Sequence, residues 1–388
     1  MIATLLLQSA LAVSFDASFE GGALGKVQQV TPEHYRLGVP GEADQQKRNR
    51  QASWYYFRVS DAKGQALTLD LVDLVGEYNY TAGTHAVTKN TRPVWSSDGE
   101  TWTHFTAVEW NDEKKELRLK ITPSSNQIFI AHTFPYTNEH LRKLLLAIRG
   151  HQRVTVETIG RSAGGRPLSL VTINGGQKGK PVIWVMARKH SWESGTSILT
   201  DAMLRWLLTP EGASTRDQAV WKILPLCDPD GVARGGVRYN VNGYDLNRNW
   251  DAVDPALMPE IAAQRKAMLG WIDAGNKIDF FLTLHNQENH DHVEGPMLLG
   301  GEHFRALGEA LYRGLKAETN FWSKLAGPRE TPATTTAGMK GRMSVVQGLF
   351  AERKVPAFLL ETSVEAVETL GRPRTWRGWG GVGRGVAR

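Results

Sequence analysis

The stretch PVIWVMARKHSWES, Pro181 to Ser194, decides how the rest of the chain is read. Residues 181–187 form an unbroken apolar run, with the length and composition of a strand covered on both faces. The run stops at Arg188 and passes at once into Lys189, His190 and Glu193, after which residues 194–208 carry a helical pattern. A buried strand that ends in polar groups and turns into a helix is the unit of a layered α/β domain. In such domains ligands gather beyond the carboxyl ends of the strands.

The same unit recurs downstream. Residues 220–226 are strand-like and run into Cys227-Asp228-Pro229-Asp230-Gly231 and a polar loop to Trp250. Helix 259–274 precedes strand 278–284, which ends at His285, and helix 303–319 precedes strand 356–360, which ends at Glu361. With a helix at 139–149, this predicts a three-layer α/β/α sandwich with a mixed sheet over residues 134–388. Residues 1–133 read differently. Short alternating stretches at 53–60, 66–75, 116–122 and 127–132, separated by turns such as Ser97-Asp98-Gly99, predict an all-β sandwich domain ahead of the α/β domain. Residues 1–14 read as a first strand or as a signal-like leader that lacks a basic start, so both cytoplasmic and exported locations stay open.

Composition narrows the function. The chain has 388 residues, 41% hydrophobic and 22% charged, which is globular rather than disordered. No apolar run reaches the roughly 20 residues of a membrane helix. A single cysteine, Cys227, excludes an intrachain disulfide framework and any multi-cysteine metal site. The 46 basic and 40 acidic residues are scattered, without the clustered patch that nucleic-acid binding needs. The Gly/Arg-rich end from Gly371 predicts no firm helix, because each glycine weakens one.

Several strand ends offer chemistry. His190-x-x-Glu193 with the distant His285 supplies two imidazoles and a carboxylate, the ligand set of a zinc site that keeps an open position. The motif is short, and His285-x-x-Glu288 repeats it; His290 and His292 compete for the third position. Arg238, Asn247 and Arg248 lie in the polar loop, where arginine suits a bidentate grip on a carboxylate but equally a solvated turn. Glu361 reads as a general base or as a satisfied strand-end residue.

Taken in order, these residues resemble the zinc metallocarboxypeptidases, and more closely their cytosolic-carboxypeptidase-like branch with its bacterial relatives. The resemblance rests on Arg188-x-His190-x-x-Glu193-Ser194, Asp228-Pro229-Asp230-Gly231 with Arg238, Asp245-Leu246-Asn247-Arg248, Leu284-His285 and Leu360-Glu361. Upstream it rests on Phe19-Glu20-Gly21-Gly22, Trp54 to Val59 and Phe134-Pro135-Tyr136-Thr137. It implies one zinc ion per chain on His190, Glu193 and His285. Asn247 and Arg248 would hold a substrate's terminal carboxylate, Arg238 would stabilise the oxyanion, and Glu361 would be the general base toward a zinc-activated water. The implied substrate is a peptide or protein C-terminus, with no nucleic-acid partner; oligomeric state is not readable.

Two departures stand out. No tyrosine lies between Phe321 and Glu361, where the digestive relatives carry one, and the run after His285 (NQENHDHVEG) is more acidic than expected. Lys340 or Arg342 lies where a basic group would favour acidic C-terminal residues. Trp54, Tyr55, Trp95 and Trp102 read as core rather than as a sugar-binding face. The alternatives are a zinc amidohydrolase of the same architecture, acting on acyl amino acids or peptidoglycan stem peptides, and a non-catalytic binding protein.

Overall fold

A computed structural model describes residues 12–318, 320–331, 339–365 and 370–388. Most of the ambiguous stretch 1–14 therefore lies outside the described residues. The N-terminal part contributes β1 (Ser14–Asp16), β2 (Val27–Thr31), β3 (His34–Gly38), β4 (Tyr56–Ser60), β5 (Leu67–Val72), β6 (Gly76–Tyr78), β7 (Thr81–Thr84), β8 (Val94–Ser96), β9 (Thr103–His104), β10 (Glu109–Asn111), β11 (Glu116–Ile121) and β12 (Gln127–Ala131). Two five-stranded sheets result, in the orders β1-β4-β12-β8-β9 and β10-β11-β5-β3-β2, with β6 and β7 as a separate hairpin.

The period-2 pattern sets what lies between the sheets. Phe57, Val59, Ile128 and Ile130 from one sheet meet Leu37, Leu67, Leu69, Leu71, Leu117 and Leu119 from the other, all buried. The opposite face of β4 is apolar too. Trp54 and Tyr56, with Phe19 and Phe129, pack into the same cluster as Phe134, Tyr136 and Trp192 of the second part. The aromatic run SWYYFRVS thus serves two cores at once, and Trp54 and Tyr55 are buried while Trp95 and Trp102 are half-buried.

The second part comprises α1 (Asn138–Ile148), β13 (Val154–Arg161), β14 (Pro167–Ile173), β15 (Val182–Ala187), α2 (Ser194–Leu207), α3 (Ala213–Arg216), β16 (Val220–Leu224), α4 (Pro229–Arg234), α5 (Pro259–Asp273), β17 (Phe280–Gln287), β18 (His292–Gly295), α6 (Met297–Lys316), β19 (Arg329–Glu330), α7 (Val345–Arg353), β20 (Ala357–Ser363) and α8 (Trp376–Ala387). An eight-stranded mixed sheet runs β13-β14-β16-β15-β17-β20-β18-β19. Its centre, β16-β15-β17-β20, is parallel, and β14 and β18 flank that centre antiparallel. Val185, Ile223, Leu282, Leu284, Phe358 and Leu360 face one apolar cluster with Leu199 of α2 and Val382 of α8. Trp184, Met186, Leu224, Phe281 and Leu359 face the other, with Met268 of α5 and Leu349 of α7. Both faces are covered, which is why the central strands read as unbroken apolar runs.

The chain's end corrects the sequence expectation. WRGWGGVGRGVA forms α8, capped by the Thr375 hydroxyl, which accepts from the Gly378 N–H at 3.1 Å. A Cβ at Gly383 would lie 2.3 Å from the Leu199 carbonyl oxygen, and one at Gly195 of α2 would lie 2.6 Å from the Trp379 ring. The glycines weaken the helix in isolation, but here they let two helices approach closely, and burial of Trp379 and Val382 outweighs the lost propensity.

Candidate active site

The four parallel strands open their carboxyl ends on one side of the sheet. Register sets His285 on β17 beside Glu361 on β20, and His292 on β18 opposite Glu361. Beyond β15 the chain turns sharply at Arg188, whose φ is 60°. The buried Arg188 guanidinium donates to the Ser191 and Tyr136 carbonyls at 2.8 and 3.2 Å, so it frames the turn rather than facing the cavity. That turn delivers His190 and places Glu193 as the N-cap residue of α2.

His190, Glu193 and His285 come together, all buried, with one potential ligand atom from each within 4.8 Å of the others. Nδ1 of His190 lies 2.6 Å from one Glu193 oxygen and Nδ1 of His285 lies 3.1 Å from the other. Burial pushes the Glu193 carboxyl up, but the two imidazoles outweigh it and hold it at about 2. A carboxylate flanked by two imidazoles, buried yet lining a cavity, is a donor set that suits zinc. Among the described residues neither His290 nor His292 joins this cluster; His292 Nδ1 instead meets the Gln287 amide at 3.0 Å.

Asp245 ties this cluster to the polar loop. Its Oδ1 lies 3.1 Å from His190 Nε2 and accepts the Asn247 N–H at 2.8 Å, while Oδ2 accepts from Arg238 Nε at 2.8 Å. A carboxylate behind a ligating imidazole fixes the ring and its tautomer. Burial opposes ionisation of Asp245, but Arg238 and His190 prevail and hold its carboxyl well below the usual range. Asn247 turns its side-chain oxygen to the Val345 N–H at 3.2 Å, at the start of α7. Arg248 donates from Nη1 to the Asn247 carbonyl at 2.9 Å, and its buried Nε has no partner among the described residues.

Glu361 is among the unsatisfied groups in the cavity. Its buried Oε2 has no hydrogen-bond partner among the described residues. Burial first, and then Glu193, Glu294 and Glu288, push its carboxyl well above the ordinary range, against a pull from Arg238. Glu288 is pushed up to about 7, again chiefly by burial.

The N-terminal domain builds part of the same site. The cavity, of about 460 Å³, is lined by Arg50, Gln51, Leu74 and Tyr78 from that domain as well as by the cluster, Arg238, Asn247, Arg248 and Glu361. Glu42 reaches across: its Oε2 accepts the consecutive N–H groups of Val237, Arg238 and Tyr239 at 2.9, 2.5 and 2.9 Å, and its Oε1 accepts from Arg234. The backbone of Arg238 is thus held by a carboxylate nearly 200 residues away in sequence.

Arg342 is placed apart from the other expected residues. It lines an adjoining cleft of about 180 Å³ rather than the main cavity, and its Nη2 donates to the Asn79 side chain at 2.9 Å. The basic group at the β18–β19 side of the main cavity is Arg329, paired with Glu294 at 2.6 Å. Sequence reasoning gave no role to Asp245, although it begins the Asp245-Leu246-Asn247-Arg248 segment. Glu42 carried no local signal at all, since its side-chain partners lie in another domain.

Comparison with known proteins gives matches to two family models. Residues 143–290 match "Zinc carboxypeptidase" and residues 15–133 match "Cytosolic carboxypeptidase N-terminal domain", together about two thirds of the chain. An uncharacterized protein of Zymomonas mobilis is 29% identical over 287 residues, 73% of this chain and 70% of that one. Mouse cytosolic carboxypeptidase 1 is 26% identical over 304 residues, 69% of this chain, which spans only 25% of that longer protein. Among solved structures, a metallo-carboxypeptidase from Burkholderia cenocepacia has a TM-score of 0.81 at 21% identity, covering 97% of both chains. One from Pseudomonas aeruginosa, in complex with (2-guanidinoethylmercapto)succinic acid, has a TM-score of 0.80 at 21% identity, covering 96% of this chain and 97% of that one.

Proposed function

From the match of residues 143–290 to the zinc carboxypeptidase model, and of residues 15–133 to the N-terminal domain of cytosolic carboxypeptidases, we propose that this chain is a zinc carboxypeptidase that removes single residues from the C-terminus of peptides or proteins. One observation carries the reading: a single cavity is lined at once by the His190–Glu193–His285 cluster, Arg238, the Asn247–Arg248 pair and Glu361.

His190, Glu193 and His285 would hold the zinc ion. When bound, zinc lowers the pKa of a coordinated water from about 15.7 towards about 7 and polarises a carbonyl. The rest is assigned to the chain's own groups. Arg248 and Asn247 receive the terminal carboxylate. An internal peptide would leave the buried Arg248 unmatched, at a cost of about 1–3 kcal/mol, and this favours exopeptidase action. Arg238 faces the oxyanion; its Nε is taken by Asp245, and among the described residues no hydrogen bond to an acceptor engages its terminal nitrogens. Losing such a donor typically reduces rate by about 10²–10³. Glu361 acts as the carboxylate: it takes the proton of the attacking water, for which burial raises its affinity, and returns it to the leaving amine.

The test is digestion of a peptide library by purified zinc-loaded protein, with and without a chelator, read by mass spectrometry. Chelator-sensitive loss of single C-terminal residues is expected. The residue released also reports whether Arg342, in the adjoining cleft, draws acidic side chains. Absence of trimming in a sample shown to hold zinc would overturn the reading and favour an amidohydrolase acting on acyl amino acids or stem peptides.

A further inference from the structure

The β6–β7 hairpin of the N-terminal domain overhangs the cavity, and its geometry is held from several sides. Asn79 and Tyr80 form a two-residue turn with φ of 48° and 64°. Positive φ at both positions matches the twist of paired strands. Asparagine tolerates it, but a tyrosine there is uncommon. The surroundings hold it in place. The Asn49 side chain accepts the Tyr80 N–H at 2.7 Å, Arg342 donates to Asn79 at 2.9 Å, and the guanidiniums of Arg48 and Arg342 lie 5.5 and 5.9 Å from the Tyr80 ring. Arg48 also pairs with Glu77.

The result is a fixed position for Tyr78, the last residue before the turn. Its ring centroid lies 5.4 Å from the Arg238 guanidinium carbon. Tyr78 lines both the main cavity and the adjoining cleft, and Arg238 and Arg248 also border both spaces. Among the described residues nothing hydrogen-bonds the Tyr78 hydroxyl, and the side chain is 41% exposed. An unengaged hydroxyl is therefore carried by a ring that lies beside the arginine assigned to the oxyanion and shares two spaces with the arginine assigned to the terminal carboxylate.

We propose that Tyr78 is a substrate-contacting residue lent to the active site by the N-terminal domain, its hydroxyl donating a hydrogen bond to the terminal carboxylate held by Arg248. The inference rests on the carboxypeptidase reading. A carboxylate gripped by one guanidinium and one amide keeps lone pairs free, and a phenol supplies a donor there without adding charge. The strained turn then has a purpose, since it aims the residue that precedes it.

The experiment is titration calorimetry of zinc-loaded protein with N-acetyl amino acids and with the matching N-acetyl amino acid amides. Tyr78→Phe, which removes only an exposed hydroxyl, should bind the acids about 10-fold more weakly, the worth of one hydrogen bond to a charged group, and leave the amides unchanged. Arg248→Ala should abolish the preference for acids, and adding Tyr78→Phe to it should change nothing further. If Tyr78→Phe binds the acids as the wild type does while Arg248→Ala loses them, the proposal is overturned and the carboxypeptidase reading stands. A loss in Tyr78→Ala without a loss in Tyr78→Phe also overturns it, because the ring alone would then matter. Equal binding of acids and amides by the wild type would overturn both.

Discussion

Replacing Asp245 by asparagine tests the centre of the site with a change of almost no volume. Asp245 uses one oxygen for His190 Nε2 and the Asn247 N–H, and the other for Arg238 Nε. An amide offers only one acceptor oxygen. If that oxygen stays on the His190 side, the amide nitrogen faces Arg238 Nε, donor against donor, and a buried guanidinium loses its counter-charge. Breaking a buried pair in this way typically costs about 3–5 kcal/mol. If the amide flips, its nitrogen faces His190 Nε2, and the ring must carry its proton on Nδ1, the nitrogen that faces Glu193. That tautomer cannot ligate, and loss of such a support typically weakens metal binding about 10–100-fold. Each orientation damages one function, so the variant should show weaker zinc binding, lower stability, or both. Zinc competition against a chromogenic chelator measures the first and chemical denaturation of the metal-free protein the second. Asp245→Asn with zinc affinity within about two-fold of wild type and unchanged stability would refute the reasoning.

Three further outcomes are expected. Glu361→Gln should keep zinc and substrate binding but lower kcat by about 10²–10⁴; single-turnover kinetics check this, and near-normal turnover would remove Glu361 as the base. Asp228, fully buried at the start of α4, is pushed up to about 7, by burial first and then by Glu42 and Glu260 against Arg234 and the Gly231 N–H. The folded state thus holds a proton that the unfolded chain releases near pH 4, and stability falls as pH rises toward 7. At about 1.36 kcal/mol per pH unit the penalty reaches on the order of 4 kcal/mol, so Asp228→Asn should gain stability over wild type between pH 5 and pH 8 in thermal melts, and a constant difference would contradict this. Gly383→Ala should destabilise by about 1–3 kcal/mol because of the Leu199 carbonyl. In an uncrowded helix the same change stabilises by about 1 kcal/mol, so the sign of the denaturation shift decides.

What the sequence revealed followed from local pattern. The central strands are legible because burial on both faces makes them uniformly apolar, and the expected ligands stand where those runs stop. His285 and Glu361 are neighbours through strand register, which an ordered reading of strand ends anticipates. The flanking strands β13 and β18 are hard to read because charge interrupts their pattern, whereas β14, PLSLVTI, carries no charge and was legible but not read. α8 was misread because propensity counts each glycine against a helix and carries no information about the helix that packs on it. Asp245 meets His190, 55 residues away, and Glu42 and Tyr78 face groups of the other domain. These contacts depend on how distant segments and two domains meet, and no local window contains that.

The grip of Glu42 on the Val237–Tyr239 backbone bears on how this protein can be recombined. A domain boundary near residue 133 suggests two interchangeable parts, yet Arg238, the arginine proposed to face the oxyanion, takes its backbone position from the first of them. A chimaera that joins this catalytic half to a foreign sandwich would lose the Trp54 and Tyr56 side of the shared core and also lack the carboxylate that seats Arg238. Successful grafts must carry the Glu42 loop along with the half that performs the chemistry. A substitution at residue 42 would surface in a screen as a catalytic defect, although it lies outside the catalytic domain altogether.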